Sequence, residues 1–136
     1  MNNLKWFLLC LVVLWFSVPV LAQKKFSTCR EIDAAEFNAF IQQNRLTVVI
    51  DIRDKKAFRK GRIPGAIWAP TDKVLRTIVD TLDVDRPVLV YDAYGESSVD
   101  GCLIVSSRGI LQACHLRGGL ANWLRQGLPL ERGKSI

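Results

Sequence analysis

The residues best suited to chemistry form a short polar segment directly after the apolar stretch PVLVY at 87–91. The segment consists of Asp92, Ala93, Tyr94, Gly95, Glu96, Ser97 and Ser98. With His115, the only histidine, it supplies the residue types of a Ser-His-Asp triad. Asp92 could instead accept a phosphoryl group, because carboxylates serve as nucleophiles in some enzymes. A packed histidine in a strand is the simpler interpretation of His115, and no carboxylate cluster or lysine accompanies Asp92 for phosphoryl chemistry.

Alternating strand and helix patterns position this segment. Strand patterns cover 29–32, 46–52, 66–69, 87–91 and 112–116, and helix patterns follow at 34–41, 54–60, 72–82, 99–107 and 120–126. The patterns predict one α/β domain, with a mainly parallel sheet of about five strands and helices on both faces. Ligands of such sheets bind beyond the carboxyl ends of the strands, so residues 92–98 are the expected site.

Several local details are also predicted. Asp33 begins a helix, with Glu36 three residues later as its capping-box partner. Two helices show apolar residues on one side, which predicts that this side is buried. These residues are Val74, Leu75, Ile78, Val79 and Leu82 in one helix, and Leu120, Trp123 and Leu124 in the other.

The first residues resemble a secretory signal peptide. Lys5 precedes an uncharged apolar run at 6–21, and Val20-Leu21-Ala22 resembles a cleavage site. We therefore expect a signal peptide at 1–22, a mature domain at 23–136, and a periplasmic or secreted location. The alternative is an uncleaved membrane anchor, and the run is short for that purpose.

Charge and cysteine content narrow the choice of partners. The net charge of +6 is spread along the chain, without basic runs interleaved with aromatic residues, so nucleic acid is not an expected partner. The mature chain keeps three cysteines: Cys29, which we expect to be exposed, and Cys102 and Cys114, which we expect to be buried. An odd number permits one internal disulfide at most, and the spacing fits no zinc site. We predict no metal and no cofactor.

Several motifs, in a specific order, resemble the rhodanese (sulfurtransferase) family. Asp51-Ile52-Arg53 is similar to its Asp-x-Arg signature. Residues 61–66 (GRIPGA) are similar to its Gly-His-Ile-Pro-Gly-Ala motif, with Arg62 in place of histidine. Residues 116–129 resemble its closing Leu-x-Gly-Gly, Trp and Gly-x-Pro pattern. The family residues carried over as structural are Asp51, Arg53, Gly61, Pro64, Gly65, Gly118, Gly119 and Trp123.

The chain departs from the family at the catalytic loop. Active members carry a cysteine directly after the strand that ends in tyrosine, and a loop that closes with Arg-Ser. The resemblance places Asp92 at the cysteine position and Ser97 at the arginine position, while Ser98 keeps the serine. The family cysteine is a thiolate, held by loop N–H groups and a helix N-terminus, that carries sulfur as a persulfide.

Asp92 cannot form a persulfide, and it adds negative charge where thiosulfate would bind. Its carboxylate either accepts the loop N–H bonds itself or takes part in altered acid–base chemistry. Three functions follow. The domain is a non-catalytic module that binds an unknown protein or small ligand at the loop, an enzyme that acts through Asp92 or another cysteine, or a protein whose cysteines have a structural or redox role.

Overall fold

The computed structural model describes residues 28–133, and the expected signal peptide lies outside this range. Within it the chain alternates five strands with five helices. The elements are β1 (Thr28–Ile32), α1 (Ala34–Gln43), β2 (Val48–Asp51), α2 (Lys55–Lys60), β3 (Ile67–Trp68), α3 (Asp72–Val79), β4 (Val88–Tyr91), α4 (Ser98–Ser107), β5 (Gln112–Leu116) and α5 (Gly119–Arg125). All five strands are parallel, in the order β1-β5-β4-β2-β3. The predicted α/β fold is confirmed.

Helices cover both faces of the sheet because successive strand residues point in opposite directions. On β4, Leu89 and Tyr91 join a cluster with Phe37 of α1 and Trp123 of α5. Val88 and Val90 join the cluster on the other face, which α3 and α4 supply. Each fully buried side chain of this size contributes ~1.5–3 kcal/mol to folding. The sheet is therefore buried on both sides, as the unbroken apolar runs predicted.

The helix starts follow local capping chemistry. The Asp33, Asp54 and Thr71 side chains each accept a hydrogen bond from the backbone N–H three residues later. The predicted capping box is wrong in one respect, since the Glu36 carboxylate pairs with Arg30 at 2.6 Å. The negative charge of Glu36 stays in the first turn of α1, where its interaction with the helix dipole stabilises the helix.

Three boundaries and exposures differ from the sequence predictions. β2 begins at Val48 rather than Leu46, because Thr47 N–H turns back to the Asn44 carbonyl and Leu46 is exposed. Val74 is exposed because α3 buries only the narrower stripe of Leu75 and Val79. Leu124 was predicted on a buried stripe but is 47% exposed, since Trp123 directs α5 into the core.

In the described part of the chain, no helix is long and apolar enough to span a membrane.

Candidate functional site

A buried ion pair holds the ends of β2 and β4 together. Asp51 is fully buried, and both of its carboxylate oxygens accept hydrogen bonds from Arg53, with Nη2 at 2.6 Å. The Tyr91 hydroxyl donates to the same carboxylate at 2.6 Å. The Arg53 backbone N–H adds a further bond at 2.9 Å. Asp-x-Arg is thus a structural unit here, in which the buried charge is fully compensated.

The same cluster fixes the turn at 61–66. Arg53 Nη2 donates to the Gly61 carbonyl at 2.8 Å, and Ile63 N–H donates to the Tyr91 hydroxyl at 3.1 Å. Burial, with the negative charge of Asp51 beside it, raises the pKa of Tyr91 well above its ordinary range. Tyr91 therefore stays a neutral donor to Asp51 and an acceptor for the turn.

Arg62 and the chain end close this part of the frame. The Arg62 guanidinium is buried over the Phe58 ring, donates to the Glu131 carboxylate, and bonds the Gly133 carbonyl at 3.0 Å. Glu131 also accepts from Gly65 N–H at 3.1 Å, and these bonds lower the pKa of that carboxyl. Arginine, in place of the family's histidine, thus ties the exposed turn at 64–65 to the C-terminal segment.

The backbone of the loop at 92–98 is held by the start of α5. Leu120 N–H donates to the Asp92 carbonyl at 2.9 Å, and Ala121 N–H to the Ala93 carbonyl at 3.0 Å. A Cβ on Gly119 would lie 2.5 Å from the Ala93 carbonyl carbon, so only glycine allows this approach. Gly118 and Gly119 both have positive φ, and it is Gly119 that allows the loop to approach α5. Trp123 anchors the helix behind them through its indole N–H to the Pro129 carbonyl at 2.8 Å.

The Asp92 carboxylate accepts hydrogen bonds from the backbone of its own loop. It is 7% exposed, Oδ1 accepts from Gly95 N–H, and Oδ2 accepts from Ser97 N–H at 2.7 Å. These backbone donors form an anion nest next to the N-terminus of α4. The carboxylate therefore takes the hydrogen bonds itself, as the first of the two predictions for Asp92 stated.

The other polar groups of the loop are divided between solvent and core. Tyr94, 73% exposed, and Glu96 lie at the surface. Ser97 is exposed at the start of α4, where its side chain makes no capping bond. Ser98 is fully buried, and its Oγ has no hydrogen-bond partner among the described residues.

His115 lies in β5 beside Val90, and its imidazole interacts electrostatically with the Asp92 carboxylate. It is buried, and its Nδ1 also has no hydrogen-bond partner among the described residues. Burial lowers the pKa of His115, and the charges of Glu31 and Asp92 oppose this shift. No hydrogen bond joins Ser98, His115 and Asp92 within residues 28–133, so the structure does not assemble the Ser-His-Asp triad considered from the sequence.

None of the three cysteines in residues 28–133 lies in the loop at 92–98. Cys29 is half-buried rather than exposed, because it forms a disulfide with Cys102 of α4, with the two Cα atoms 5.6 Å apart. Cys114 is a buried free thiol, and burial raises its pKa although Arg30 lies beside it. The loop therefore has no thiolate available from these three residues.

Two adjoining cavities open at this edge of the sheet. The first, the loop cavity, has a volume of about 310 Å³ and is lined by Asp54, Asp92, Glu96 and Ser97 among others. The second, the basic cavity, has a volume of about 400 Å³ and is lined by Lys60, Arg132, Leu120, Leu124 and Leu130 among others. Both share a wall of Arg53, Ala57, Ala93 and Tyr94. Sequence reasoning missed the basic cavity because its walls come from α2, α5 and the last described residues.

Metal binding finds no support in the part of the chain that the structure describes. No group of three or more His, Cys, Asp or Glu side chains is arranged there to hold an ion. The loop cavity carries carboxylates, but Asp92 already accepts backbone hydrogen bonds through both oxygens.

Comparison with known proteins finds relatives with this architecture. A family model described as rhodanese-like domain matches residues 33–126. The uncharacterized protein YibN of Escherichia coli K12 is 35% identical over 64% of this chain and 62% of its own length, so the chain spans less than two thirds of that relative. The thiosulfate sulfurtransferase GlpE of Glaesserella parasuis is 32% identical over 68% of this chain and 85% of its own. The solved structure of Alr3790 from Anabaena sp. superimposes with a TM-score of 0.67 at 26% identity, covering 74% of this chain and 81% of that one.

Proposed function

The chain belongs to the rhodanese-like domain family, and we propose that it is an exported member that binds a ligand or partner at its loop without transferring sulfur. The observation that carries this proposal is the Asp92 carboxylate, which accepts the N–H groups of Gly95 and Ser97. In the family these groups face the sulfur of a cysteine thiolate. Here the nest already holds a fixed anion.

The chemistry of sulfur transfer supports this proposal. A carboxylate forms no stable persulfide, and the exposed Ser97 offers no guanidinium to a sulfur anion. Two like charges about 4 Å apart repel by ~4 kcal/mol at an effective dielectric constant of 20, so Asp92 disfavours thiosulfate. Cys29 and Cys102 are joined to each other, and Cys114 is buried, so no other cysteine of residues 28–133 replaces the missing nucleophile.

The disulfide also supports export. Stable structural disulfides form in oxidising compartments and are rare in the cytosol. The bond between Cys29 and Cys102 agrees in this respect with the signal-peptide pattern of residues 1–22. Thiol titration of denatured protein isolated from the exported fraction should find one free thiol in the mature chain, that of Cys114. Three free thiols would contradict both the disulfide and this argument for export.

A sulfurtransferase assay tests the proposal directly. We expect residues 23–136 to show no turnover of thiosulfate and cyanide above background. The double variant Asp92→Cys, Ser97→Arg should gain turnover, because it restores a thiol to the nest and a cation to the loop. Ser97→Arg alone is the matched control and should remain inactive. Turnover by the natural protein would remove the proposal.

Altered chemistry at Asp92 is the second candidate. The unpartnered Ser98 Oγ and His115 Nδ1, both buried near the loop, favour it, because such atoms often mark a catalytic role or a bound water. A substrate screen with natural protein and Asp92→Asn distinguishes the two functions. An enzyme acting through Asp92 loses the screened activity in the variant, whereas a binding module shows no activity that responds to it.

A further inference from the structure

The basic cavity combines positive charge with an apolar wall. Lys60, at the end of α2, and Arg132, near the end of the described range, supply positive charge, and Leu120, Leu124 and Leu130 supply apolar surface. No Asp or Glu of the described residues lines this cavity. Arg53 also reaches it, but the charge of that side chain is compensated by Asp51.

The two remaining cations are available to a ligand. Among residues 28–133 neither Lys60 nor Arg132 takes part in a salt bridge, whereas Arg30, Arg62, Arg108 and Arg117 all do. Both lie at exposed positions. An anion placed between them would meet positive charge without displacing an internal partner.

Two residues of the cavity wall expose much of their side chains. Leu124 is 47% and Tyr94 73% exposed, and the two residues line the same cavity. Burying them in contact with a ligand would remove apolar surface from water at ~25 cal/mol per Å². The cavity volume of about 400 Å³ lies in the range typical of small-molecule sites.

We propose that the basic cavity binds a small soluble monoanion with an apolar body, such as a medium-chain carboxylate. The acidic group lies between Lys60 and Arg132, and the apolar body lies against Leu124, Leu130 and the ring of Tyr94. The adjoining loop cavity is unsuitable for the anionic group, because Asp54, Asp92 and Glu96 line it. This inference rests on the proposed binding role of the loop face and names its ligand class.

Calorimetric titration with octanoate tests the proposal on residues 23–136. Octanoate should bind, and octylammonium, which has the same apolar body and the opposite charge, should bind at least about tenfold more weakly. The double variant Lys60→Gln, Arg132→Gln should lower the affinity for octanoate about tenfold, as expected when two exposed ion pairs are lost. Leu124→Asp should lower it further, because it removes apolar wall and adds a carboxylate.

A matched variant controls for net charge. Lys56→Gln, Arg125→Gln removes the same two charges from exposed positions on α2 and α5 that line neither cavity, and it should leave the affinity for octanoate unchanged. Circular dichroism confirms that all variants fold. Failure of octanoate to bind, equal binding of octylammonium, or equal losses in the two double variants would overturn the inference. These outcomes leave the sulfurtransferase result untouched, and turnover by the natural protein would remove the proposed function without changing the octanoate titration.

Discussion

Two neighbouring parts of the molecule differ in whether all of their buried polar side-chain atoms have hydrogen-bond partners. In the frame cluster, which we define as Asp51, Arg53 and Tyr91, the carboxylate, the guanidinium and the hydroxyl all have hydrogen-bond partners. Around the loop at 92–98, the buried Ser98 Oγ and His115 Nδ1 have none among the described residues. Both parts sit at the carboxyl ends of strands in one sheet.

The difference indicates that the fold depends more on the side chains of the frame cluster than on those of the loop. The frame cluster connects β2, β4 and the turn at 61–66, so each of its members helps to hold these elements together. The loop is held mainly through backbone contacts to α5 and the paired glycines, which do not depend on the loop side chains. Cysteine and arginine can therefore be replaced by Asp92 and Ser97 while the backbone path remains.

The frame cluster should give the largest effect on stability. Asp51→Asn leaves the guanidinium of Arg53, whose side chain is 10% exposed, without its counter-charge. We expect the free energy of unfolding to fall by about 3–5 kcal/mol, the usual effect of removing one partner of a buried ion pair. Urea denaturation monitored by circular dichroism measures it. A loss below about 1 kcal/mol would show that the cluster is not structurally required.

Tyr91 should give a smaller effect that depends on pH. Tyr91→Phe leaves the Ile63 N–H without a partner and removes a donor from Asp51, which we expect to cost about 1–3 kcal/mol at pH 7. Because the pKa of Tyr91 is raised in the folded state, its stabilisation is complete below the unfolded pKa of about 10 and is lost as the pH rises above it.

The stability difference between natural protein and Tyr91→Phe should therefore shrink between pH 10 and 11. Tyr94→Phe, at an exposed ring, is the control and should show no such difference at any pH. A stability difference between natural protein and Tyr91→Phe that stays constant above pH 10 would contradict the assignment of Tyr91 as a buried neutral donor.

Asp92→Asn tests the loop side of the comparison. The amide oxygen can still accept one backbone N–H, but the amide nitrogen faces the other, so we expect a loss of about 1–2 kcal/mol. Glu96→Gln, an exposed carboxylate in the same loop, should have no measurable effect. If Asp92→Asn destabilises the protein as much as Asp51→Asn, the loop belongs to the frame and the distinction between them fails.

His115 should give the smallest effect. Burial lowers the pKa of His115, so its contribution to stability is present above the unfolded value of about 6.5 and is lost as the pH falls. The loss cannot exceed about 1.4 kcal/mol per pH unit for one group. His115→Gln should reduce the fall in stability between pH 7.5 and 5.5. Parallel stability profiles for the two proteins would contradict this prediction.

The sequence predicted the fold well because the strongest signals are local. Apolar runs placed the ends of β4 and β5 within one residue, and the capping side chain of Asp33 placed the start of α1. The position of the loop after β4 followed from the rule for parallel sheets. The hydrogen bonding of Asp92 was one of two alternatives, because side-chain orientation within a seven-residue loop depends on its backbone turn.

The remaining features depend on distant residues that share a surface. The disulfide joins residues 73 apart in sequence, and only the packing of α4 against β1 brings them together. The exposure of Leu124 reflects the angle at which Trp123 inserts between α1 and the sheet. The basic cavity needs Lys60 and Arg132, which lie 72 residues apart in sequence. No local pattern contains this information.

The position of the disulfide has a mechanical consequence. β1 is an edge strand, paired only with β5 within residues 28–133, and Cys29 is its second residue. A pulling force applied from the N-terminal side passes through Thr28 and then enters α4 through the covalent bond to Cys102. The rest of β1 is thereby shielded from being peeled off β5 one hydrogen bond at a time. The load is instead carried by α4, the helix whose first turn ends the loop, so tension on the N-terminal side of the domain acts on the element that adjoins the loop.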